Sequence, residues 1–582
     1  MTAPNLNIFY ADLILDYLVR CGVETCFVSP GSRSTALIAA AAGRADISVR
    51  MHIDERASAF MAVGFARATG SIPALICTSG TAVANYLPAV VEAFQSRLPL
   101  VLLTADRPEE LQDCGANQTI DQHALYGRFA LESITLGTFD ADTDPDDVLK
   151  TLDKAACLID EGPIHINCRF RKPLDPVAKA FDLASLSGRK DAFYKNSPIG
   201  LKPKDPLIDF SQAVEEVAGL INGSESGLII AGPEAPYRTC QNLDKLAKVL
   251  DWPIIADIHS QYRFGSKTVN AIGHFDLLND AEIPDFPTPR TILHVGGLPT
   301  SKSLIKYLLG LKGMEYIKIQ DHEQTIDPDR LETERLTGDP DKIIDLLITK
   351  LTSKEKTSGW KKLRATDLEC ARFLSEHFDD KRLTEPSLAY GLGKLIRDGD
   401  GLYLSSSMPI RDAESFMSVR TDSLMVGANR GASGIDGLIA SACGFAFGSG
   451  KPTTLLLGDL TFIHDLNSLA LVKKSEIPII VVVVNNRGGG IFHFLPIAAF
   501  EDIFEPYFGT PHDLTFDSAA KMFDLPYYQP KTIPEFESSY NEARDNNRSA
   551  IIEISTDRNQ NVAEHETIRS RLAAVLSRKD SE

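Results

Sequence analysis

Short apolar runs alternate with amphipathic segments along most of the chain. Those in the first part predict strands at 24–30, 48–54, 73–79, 98–105 and 163–170. The amphipathic segments predict helices at the N-terminus and near 34–42, 56–69 and 82–95. Apolar runs separated by helical patterns are typical of a parallel sheet with helices on both faces.

The same alternation returns in a middle block and in a last block. It predicts strands at 227–232, 253–258, 291–296 and 315–321, and then at 401–406, 453–459, 477–486 and 549–555. The polar stretch 186–205 predicts a linker, and the charged stretch 350–382 predicts a connecting helix. A chain of 582 residues is too long for one core. We therefore predict an α/β protein of three doubly wound domains with mainly parallel sheets, at 1–190, 205–350 and 383–582. The first and last blocks share an architecture, which predicts two related domains.

The net charge of −19 narrows the range of partners. It argues against nucleic acid and anionic membranes, and no apolar run is long enough to span a bilayer. The N-terminus lacks the pattern of a secretory signal. Nine cysteines without a CxxC pair are typical of a reducing compartment and argue against a zinc site. We therefore expect a cytoplasmic protein, in which an anionic substrate would need a local cluster of arginines.

Two polar dipeptides follow apolar strands in the last block. Gly458-Asp459 ends one predicted strand, Asn485-Asn486 ends the next, and one helix separates them. Both therefore fall at the carboxyl edge of one parallel sheet, where α/β folds bind ligands. A hard divalent cation takes carboxylate, amide and backbone oxygens, which Asp459, Asn486 and the carbonyl of Gly488 would supply. Each dipeptide alone is also typical of an ordinary strand-end turn.

The pair of dipeptides resembles the metal and diphosphate motif of thiamine-diphosphate enzymes, in which GDG is followed by two asparagines. Leu460 stands at the third position here. The resemblance implies thiamine diphosphate held through Mg²⁺ or Mn²⁺, with Gly458 and Gly489 also at the cofactor. It makes 383–582 the diphosphate- and metal-binding domain.

Glu55 stands in the string HIDERASAF, between a predicted strand and a predicted helix. Thiamine chemistry needs one carboxylate at the pyrimidine ring, because its hydrogen bond favours the tautomer that activates the cofactor. A first-turn acid favoured by the helix dipole is the other interpretation. The junction resembles the pyrimidine-binding half of thiamine enzymes, which implies that 1–190 is that domain and that Glu55 is catalytic. In that superfamily the two halves meet between subunits, so a homodimer would be the smallest competent form.

A narrower resemblance covers almost the whole chain. Its strings are SPGSRSTAL at 29–37, TSGTAVANYLPAVVEA at 78–93, LTADRPEELQDCGANQTIDQ at 103–122, NRGASGIDG at 429–437 and NNRGGGIF at 485–492. Together they closely resemble the 2-succinyl-5-enolpyruvyl-6-hydroxy-3-cyclohexene-1-carboxylate synthase family. The resemblance implies a transferase of menaquinone biosynthesis that decarboxylates 2-oxoglutarate and adds the succinyl carbanion equivalent to isochorismate. It leaves dimer and tetramer open.

The same resemblance implies the substrate contacts. Both substrates are dicarboxylates, and arginine pairs with two carboxylate oxygens at once. The matching positions are Arg107, Asn117 and Gln118 on the isochorismate side, Ser407 and Arg411 at the succinyl carboxylate, Ser32, Arg33, Lys302 and Arg430 along the cavity, and the apolar Ile435, Ile491, Phe492 and Leu495 around cofactor and substrate. A single arginine of this kind is also typical of a surface ion pair. Ser303 stands where the family often has a second basic residue.

Two other functions stay open on the sequence. Another thiamine-dependent 2-oxoacid decarboxylase, or an acetolactate-type synthase, would keep Glu55, Asp459 and Asn486 but would not need the arginine set. A non-catalytic binding protein of the same fold would have lost the chemistry, which the presence of those three residues disfavours.

Overall fold

The computed structural model describes residues 3–196, 211–233, 237–265, 270–281, 288–353 and 358–579. Within these ranges the chain forms three six-stranded sheets with parallel strand pairs, which confirms the predicted fold class. Contacts divide the chain into two compact units. The first unit is Met1–Lys204 with Asn429–Lys451 and Thr461–Ile479, and the second unit is Asp205–Ala428 with Pro452–Leu460 and Ile480–Glu582. The bounds of the three predicted domains stay predictions.

The first sheet consists of β1 Thr25–Val28, β2 Ser48–Met51, β3 Pro73–Cys77, β4 Leu100–Asp106, β5 Glu132–Leu136 and β6 Pro163–Arg169. Its strand order is β2-β1-β3-β4-β6-β5. The helices of this region are α1 Leu6–Arg20, α2 Thr35–Ala42, α3 Glu55–Thr69, α4 Thr81–Ala84, α5 Leu87–Gln95, α6 Pro145–Ala156 and α7 Leu183–Asn196. Strands β1, β3 and β4 are buried along their whole length, which explains why their sequences are mostly apolar and do not alternate.

The second sheet consists of β7 Gly227–Ala231, β8 Ile254–Ala256, β9 Ala271–Ile272, β10 Thr291–Val295, β11 Glu315–Gln320 and β12 Glu334–Thr337. Its strand order is β12-β11-β10-β7-β8-β9. The helices of this part are α8 Ser211–Gly223, α9 Tyr237–Leu250, α10 Phe275–Asp280, α11 Lys302–Gly310, α12 Pro340–Lys350 and α13 Ser358–His377.

The third sheet consists of β13 Gly401–Leu404, β14 Met425–Ala428, β15 Thr453–Gly458, β16 Ile479–Asn485, β17 Tyr527–Tyr528 and β18 Ala550–Ser555. The accompanying helices are α14 Glu385–Leu395, α15 Met408–Phe416, α16 Leu438–Ser449, α17 Asp459–His464, α18 Leu469–Lys474, α19 Glu501–Phe504, α20 Asp517–Met522, α21 Ile533–Asp545 and α22 Arg558–Lys579. The strand order β14-β13-β15-β16-β18-β17 repeats that of the first sheet. The prediction that the first and last blocks share an architecture is therefore confirmed.

Helices α3 and α16 pack closely within the first unit. A Cβ atom built on Gly64 of α3 would lie 1.9 Å from the carbonyl oxygen of Ser441, and one on Gly444 of α16 would lie 1.8 Å from that of Met61. Only glycine fits at these two positions, because backbone meets backbone there. The hydroxyl of Ser441 donates to the carbonyl of Phe60 at 3.2 Å. This contact fixes the helix that begins with Glu55.

Three predictions of elements were wrong in detail. The helix predicted at 82–95 is divided into α4 and α5, and Pro88 stands in the first turn of the second. The helix predicted between the strands that end at Gly458-Asp459 and Asn485-Asn486, near 463–472, is divided by a 3₁₀ turn, Leu466–Ser468. There the Asp465 carboxylate accepts the N–H groups of Ile439 and Ala440 at 2.8 and 3.1 Å. Residues up to Asn196 of the predicted linker belong to α7, and 197–205 lie outside the described residues. Helix α13 confirms the predicted helix at 350–382.

Candidate active site

Glu55 is the first residue of α3. The preceding Asp54 caps this helix, since its carboxylate accepts the N–H groups of Arg56 at 2.8 Å and of Ala57 at 3.3 Å. Because Asp54 fills the capping role, the helix end does not need the Glu55 carboxylate. That carboxylate is partly buried and accepts a hydrogen bond from Nδ2 of Asn85 at 3.2 Å. The first-turn position is as predicted, and the catalytic role stays a prediction.

Arg33 and Arg107 bring two positive charges into one region of the first unit. Arg33 is only 6% exposed and donates from Nη1 to the carbonyl of Phe170 at 2.7 Å. Arg107 donates to Oγ of Ser79 at 3.0 Å and to the carbonyl of Asn117 at 2.9 Å. Burial lowers the pKa of Arg33, the charge of Arg107 lowers it further, and the Asp106 carboxylate opposes both. Two cations that repel each other in this way are stabilised by a bound anion.

The predicted residues Asn117 and Gln118 lie beside this arginine pair. Gln118 and Ser79 exchange two hydrogen bonds, from Oγ of Ser79 to the Gln118 carbonyl at 3.0 Å and from Nε2 of Gln118 to the Ser79 carbonyl at 2.9 Å. Gln118 has φ of 57°, a left-handed conformation that is uncommon outside glycine. Ser32 precedes Arg33, and its carbonyl accepts Oγ1 of Thr35 at 2.7 Å where α2 begins.

Arg430 and Ile435 lie in the loop between β14 and α16. The Glu92 carboxylate holds this loop, because it accepts the N–H of Gly431 at 2.9 Å and the N–H of Ala432 at 2.7 Å. A Cβ atom on Gly431 would lie 2.6 Å from the backbone oxygen of Glu92, so glycine is required for this approach. Ile435 is 37% exposed, which leaves an apolar side chain free to contact a ligand.

In the second unit, Asp459 directly follows Gly458, the last residue of β15. Its Oδ1 accepts the N–H of Leu460 at 2.6 Å, and its Oδ2 accepts the N–H of Gly488 at 2.9 Å. Nε2 of His512 lies 3.3 Å from the same Oδ2. Burial raises the pKa of the Asp459 carboxyl, and the two backbone donors oppose this. Strand β15 therefore presents a buried carboxylate to the turn after β16.

Asn486 immediately follows β16 and is 9% exposed. Its Nδ2 donates to Oε1 of Glu385 at 3.0 Å. Its Oδ1 is buried and has no hydrogen-bond partner among the residues that the structure describes. A buried amide oxygen without a partner is uncommon in proteins. A cation that takes oxygen ligands would satisfy it.

Two positions of the turn after Asn486 require glycine. Gly488 has φ of 143°, and a Cβ atom on it would lie 2.1 Å from the carbonyl oxygen of Gly509. A Cβ atom on Gly489 would lie 2.2 Å from the carbonyl oxygen of Phe508. Within the described ranges, no group of three or more His, Cys, Asp or Glu side chains could hold a metal ion. A metal at Asp459 and Asn486 would therefore take its other oxygens from the backbone and from the ligand, and the residues present fit such a site.

Three further predicted contacts of the second unit lie at helix starts. Ser407 precedes α15 with φ of 77°. Its carbonyl accepts Nη1 of Arg411 at 2.5 Å, one helical turn further on. Lys302 is the exposed first residue of α11, which Ser301 caps by accepting the N–H of Leu304 at 2.8 Å. Ser303 uses its hydroxyl within the protein, donating to Asp280 at 2.7 Å.

The predicted apolar residues after the glycine turn form a short 3₁₀ helix, Gly490–Phe494. Ile491 and Phe492 are partly buried, and the ring of Phe492 lies 5.5 Å from that of Phe508 between centroids. Leu495, just beyond this helix, is 37% exposed. An apolar surface therefore adjoins the polar turn.

Two residues of this region were missed by the sequence analysis. The N–H of Leu514 donates to Nδ1 of His512 at 3.2 Å, and Nε2 of the same ring faces the Asp459 carboxylate. Nothing in the sequence marks His512, since it lies in a loop far from the motif. Glu385 is buried beside Asn486. Its string TEP indicates only a helix start.

Three family models match the chain. Residues 9–125 match the description "Thiamine pyrophosphate enzyme, N-terminal TPP binding domain". Residues 219–404 match "Middle domain of thiamine pyrophosphate", and residues 413–554 match "Thiamine pyrophosphate enzyme, C-terminal TPP binding domain".

Curated relatives extend this similarity over nearly the full length. The chain is 41% identical to the 2-succinyl-5-enolpyruvyl-6-hydroxy-3-cyclohexene-1-carboxylate synthase of Rubrobacter xylanophilus, over 97% of this chain and 98% of the relative. It is 38% identical to the protein of the same name from Chlorobium phaeobacteroides, over 99% of this chain and 100% of the relative. Among solved structures, benzoylformate decarboxylase from Polynucleobacter necessarius has a TM-score of 0.71 at 15% identity, covering 94% of this chain and 98% of the other. That structure supports the fold alone.

None of the helices in the described ranges combines the length and the apolar character that crossing a bilayer requires.

Proposed function

Because the chain belongs to the 2-succinyl-5-enolpyruvyl-6-hydroxy-3-cyclohexene-1-carboxylate synthase family, we propose that it decarboxylates 2-oxoglutarate and joins the remaining four-carbon unit to isochorismate. The observation that carries the proposal is the joint presence of the Glu55 carboxylate, the Asp459–Asn486 pair and the Arg33–Arg107 pair. The first two serve thiamine chemistry, and the third serves a dicarboxylate substrate.

Thiamine diphosphate, when bound, would supply a nucleophilic ring carbon and a cationic ring that acts as the electron sink for decarboxylation of a 2-oxoacid. Asp459, Asn486 and the carbonyl of Gly488 would hold Mg²⁺ or Mn²⁺. Gly458 and Gly489 would lie beside the cofactor. Glu55 would accept a hydrogen bond from the pyrimidine ring. Apolar contacts from Ile435, Ile491 and Phe492 would exclude water.

The arginines would bind and orient the two substrates. Isochorismate would be contacted by Arg107, Asn117 and Gln118. The negative charge of a substrate carboxylate would offset the mutual repulsion of Arg33 and Arg107 and raise the pKa of Arg33. Ser407 and Arg411 would hold the distal carboxylate of 2-oxoglutarate. The remaining polar and apolar contacts along the cavity would come from Ser32, Lys302, Arg430 and Leu495.

The proposal includes a homo-oligomer, a dimer or a tetramer, whose active sites lie between subunits, and a cytoplasmic location. Both follow from the family and from the composition of the chain, and both stay predictions.

The test follows isochorismate consumption by absorbance with 2-oxoglutarate, thiamine diphosphate and Mg²⁺, leaving out each component in turn. Consumption only in the complete mixture is expected. Release of carbon dioxide from 2-oxoglutarate without loss of isochorismate would keep the thiamine chemistry and overturn the acceptor. Turnover of pyruvate in place of 2-oxoglutarate would favour an acetolactate-type synthase or another 2-oxoacid decarboxylase. If thiamine diphosphate and Mg²⁺ do not raise the melting temperature of the folded protein, a non-catalytic binding protein would be favoured.

A further inference from the structure

Glu385 is a buried acid of the second unit, and the fold of its own helix does not require its carboxylate. It is the first residue of α14, and it is 3% exposed. The N-terminus of this helix is already capped by Thr384 and Ser387, which bond to each other's backbone N–H groups at 3.2 and 2.8 Å. A first-turn acid favours a helix dipole, but that effect does not require burial.

The Glu385 carboxylate makes contacts outside its helix. Its Oε1 accepts Nδ2 of Asn486 at 3.0 Å and Oγ1 of Thr556 at 2.9 Å. Both partners directly follow strands of the third sheet, β16 and β18. The acid therefore reaches from α14 to the carboxyl edge of that sheet, where Asn486 lies.

These contacts decide which way the Asn486 amide faces. An amide can turn by half a rotation with almost no change of shape, so its orientation depends on its partners. Oε1 of Glu385 accepts both the Thr556 hydroxyl and Nδ2 of Asn486, so Nδ2 faces Glu385 and Oδ1 faces away from it. That Oδ1 is buried and has no hydrogen-bond partner in the part of the chain that the structure describes. The side chain thus offers the atom that a hard cation binds.

We propose that Glu385 is a positioning residue for the metal ion, which it serves by holding the Asn486 amide with its oxygen towards the metal. The inference rests on the proposed function only in that a divalent metal binds at Asp459, Asn486 and Gly488. Without the acceptor at position 385, the amide samples both orientations, and metal affinity falls. Outer partners of metal ligands typically change affinity by about 10- to 100-fold when they are removed.

The test measures Mn²⁺ binding and needs no substrate. Full-length protein is stripped of metal with a chelator and saturated with thiamine diphosphate, and free Mn²⁺ is followed by electron paramagnetic resonance. Glu385→Met keeps the length of the side chain but removes the acceptor, and it should weaken Mn²⁺ binding by about 10-fold or more. Glu385→Gln keeps an acceptor and should stay within about threefold of the unchanged protein. Thr556→Val removes the other hydrogen bond to the same oxygen, and it should leave Mn²⁺ binding unchanged.

A second pair of variants keeps the proposal decisive if Glu385→Met does not fold. With Asn486 unchanged, Glu385→Gln should weaken Mn²⁺ binding slightly. In a protein that already carries Asn486→Asp, the same change should strengthen it, because the amide of Gln donates to a carboxylate that Glu would repel. An effect of the same sign in both backgrounds would overturn the proposal, as would unchanged binding in a folded Glu385→Met variant. No Mn²⁺ binding by the unchanged protein would instead overturn the metal site of the proposed function.

Discussion

At the scale of single residues, the charges of Arg33 and Arg107 form the most unusual feature of the first unit. The protein carries a net charge of −19, yet these two cations lie close enough that the charge of Arg107 lowers the pKa of Arg33. Arg33 donates to a backbone carbonyl and Arg107 to Ser79 and Asn117. The buried Asp106 carboxylate offsets part of the repulsion between the two arginines, and the remaining positive charge favours an anionic ligand.

Arg107→Ala should therefore raise the KM for isochorismate. A hydrogen bond to a charged group contributes about 1.5–3 kcal/mol, so the expected rise is about 10- to 100-fold, with a smaller change in kcat. Steady-state kinetics at saturating 2-oxoglutarate measures both. Arg128→Ala is the matched control, because Arg128 is exposed in the same domain and lies over the ring of Phe129. An unchanged KM for Arg107→Ala would contradict the role.

The sequence predicted the positions in the fold of the candidate site residues that short motifs mark. Asp459 and Asn486 stand at the ends of apolar runs, so their place at one sheet edge followed from strand topology alone. Glu385 and His512 could not be predicted in the same way. Each reaches the site from a distant segment through one side-chain contact, at 3.0 Å to Asn486 and 3.3 Å to Asp459. Such contacts depend on packing between elements, which a local pattern does not contain.

At the scale of elements, the approach of α3 to α16 determines where Glu55 can lie. Gly444→Ala would place a Cβ atom 1.8 Å from the backbone oxygen of Met61. The two helices would have to separate, and we expect the free energy of unfolding to fall by about 1–3 kcal/mol. Urea unfolding measures this change. Gly188→Ala in α7 is the control, because a Cβ atom there has no neighbour within 4 Å. Equal stability of the two variants would contradict the close approach.

The second sheet contains a buried lysine whose charged form is disfavoured by burial. Lys318 of β11 is 3% exposed, and its Nζ lies 3.1 Å from Nδ1 of His294, its register partner on β10. Burial lowers the pKa of Lys318 to about 7. In the unfolded chain a lysine keeps a pKa of about 10.4. The native state therefore binds fewer protons than the unfolded state between these values, so stability rises with pH through this window.

Lys318→Met should remove this dependence on pH. Between about pH 7 and about pH 9 the unchanged protein should gain about 2–3 kcal/mol from Lys318, and the variant should lack that gain. Near pH 7 the variant should also be the more stable of the two, because it lacks the buried charge of Lys318. The hydrogen bond from Tyr316 to His294, at 2.7 Å, remains in both proteins. Urea unfolding at both pH values measures the difference. Lys312→Met, at an exposed lysine, should keep the original slope, and the same slope in Lys318→Met would contradict the assignment.

Element predictions succeeded where burial is uniform and were wrong where a single side chain interrupts a helix. The apolar runs at 291–296 and 453–459 became β10 and β15 nearly residue for residue. The helix predicted near 463–472 was wrong because Asp465 turns to bind the N–H groups at the start of α16. That competition is between a side chain and the helix backbone, and it depends on a segment that is distant in sequence.

At the scale of the whole molecule, the proposed function requires Glu55 and Asp459 in the same active site. Glu55→Gln should abolish turnover with the fold intact, and Asp459→Ala should lose metal-dependent cofactor binding. If the site lies between subunits, a hetero-oligomer of these two inactive variants regains one intact site. Its Glu55 then comes from one subunit and its Asp459 from the other.

Co-expression with two different affinity tags and sequential purification isolates that hetero-oligomer. For a dimer with two equivalent sites we expect about half of the original activity per dimer, since the second site carries both substitutions. An inactive but folded hetero-oligomer would place Glu55 and Asp459 of each site in the same subunit. Failure to recover any doubly tagged species would contradict the oligomer itself. An oligomer in which both tagged subunits carry Glu55→Gln should stay inactive. Activity recovered in the mixed oligomer must therefore come from a site that combines Glu55 of one subunit with Asp459 of the other.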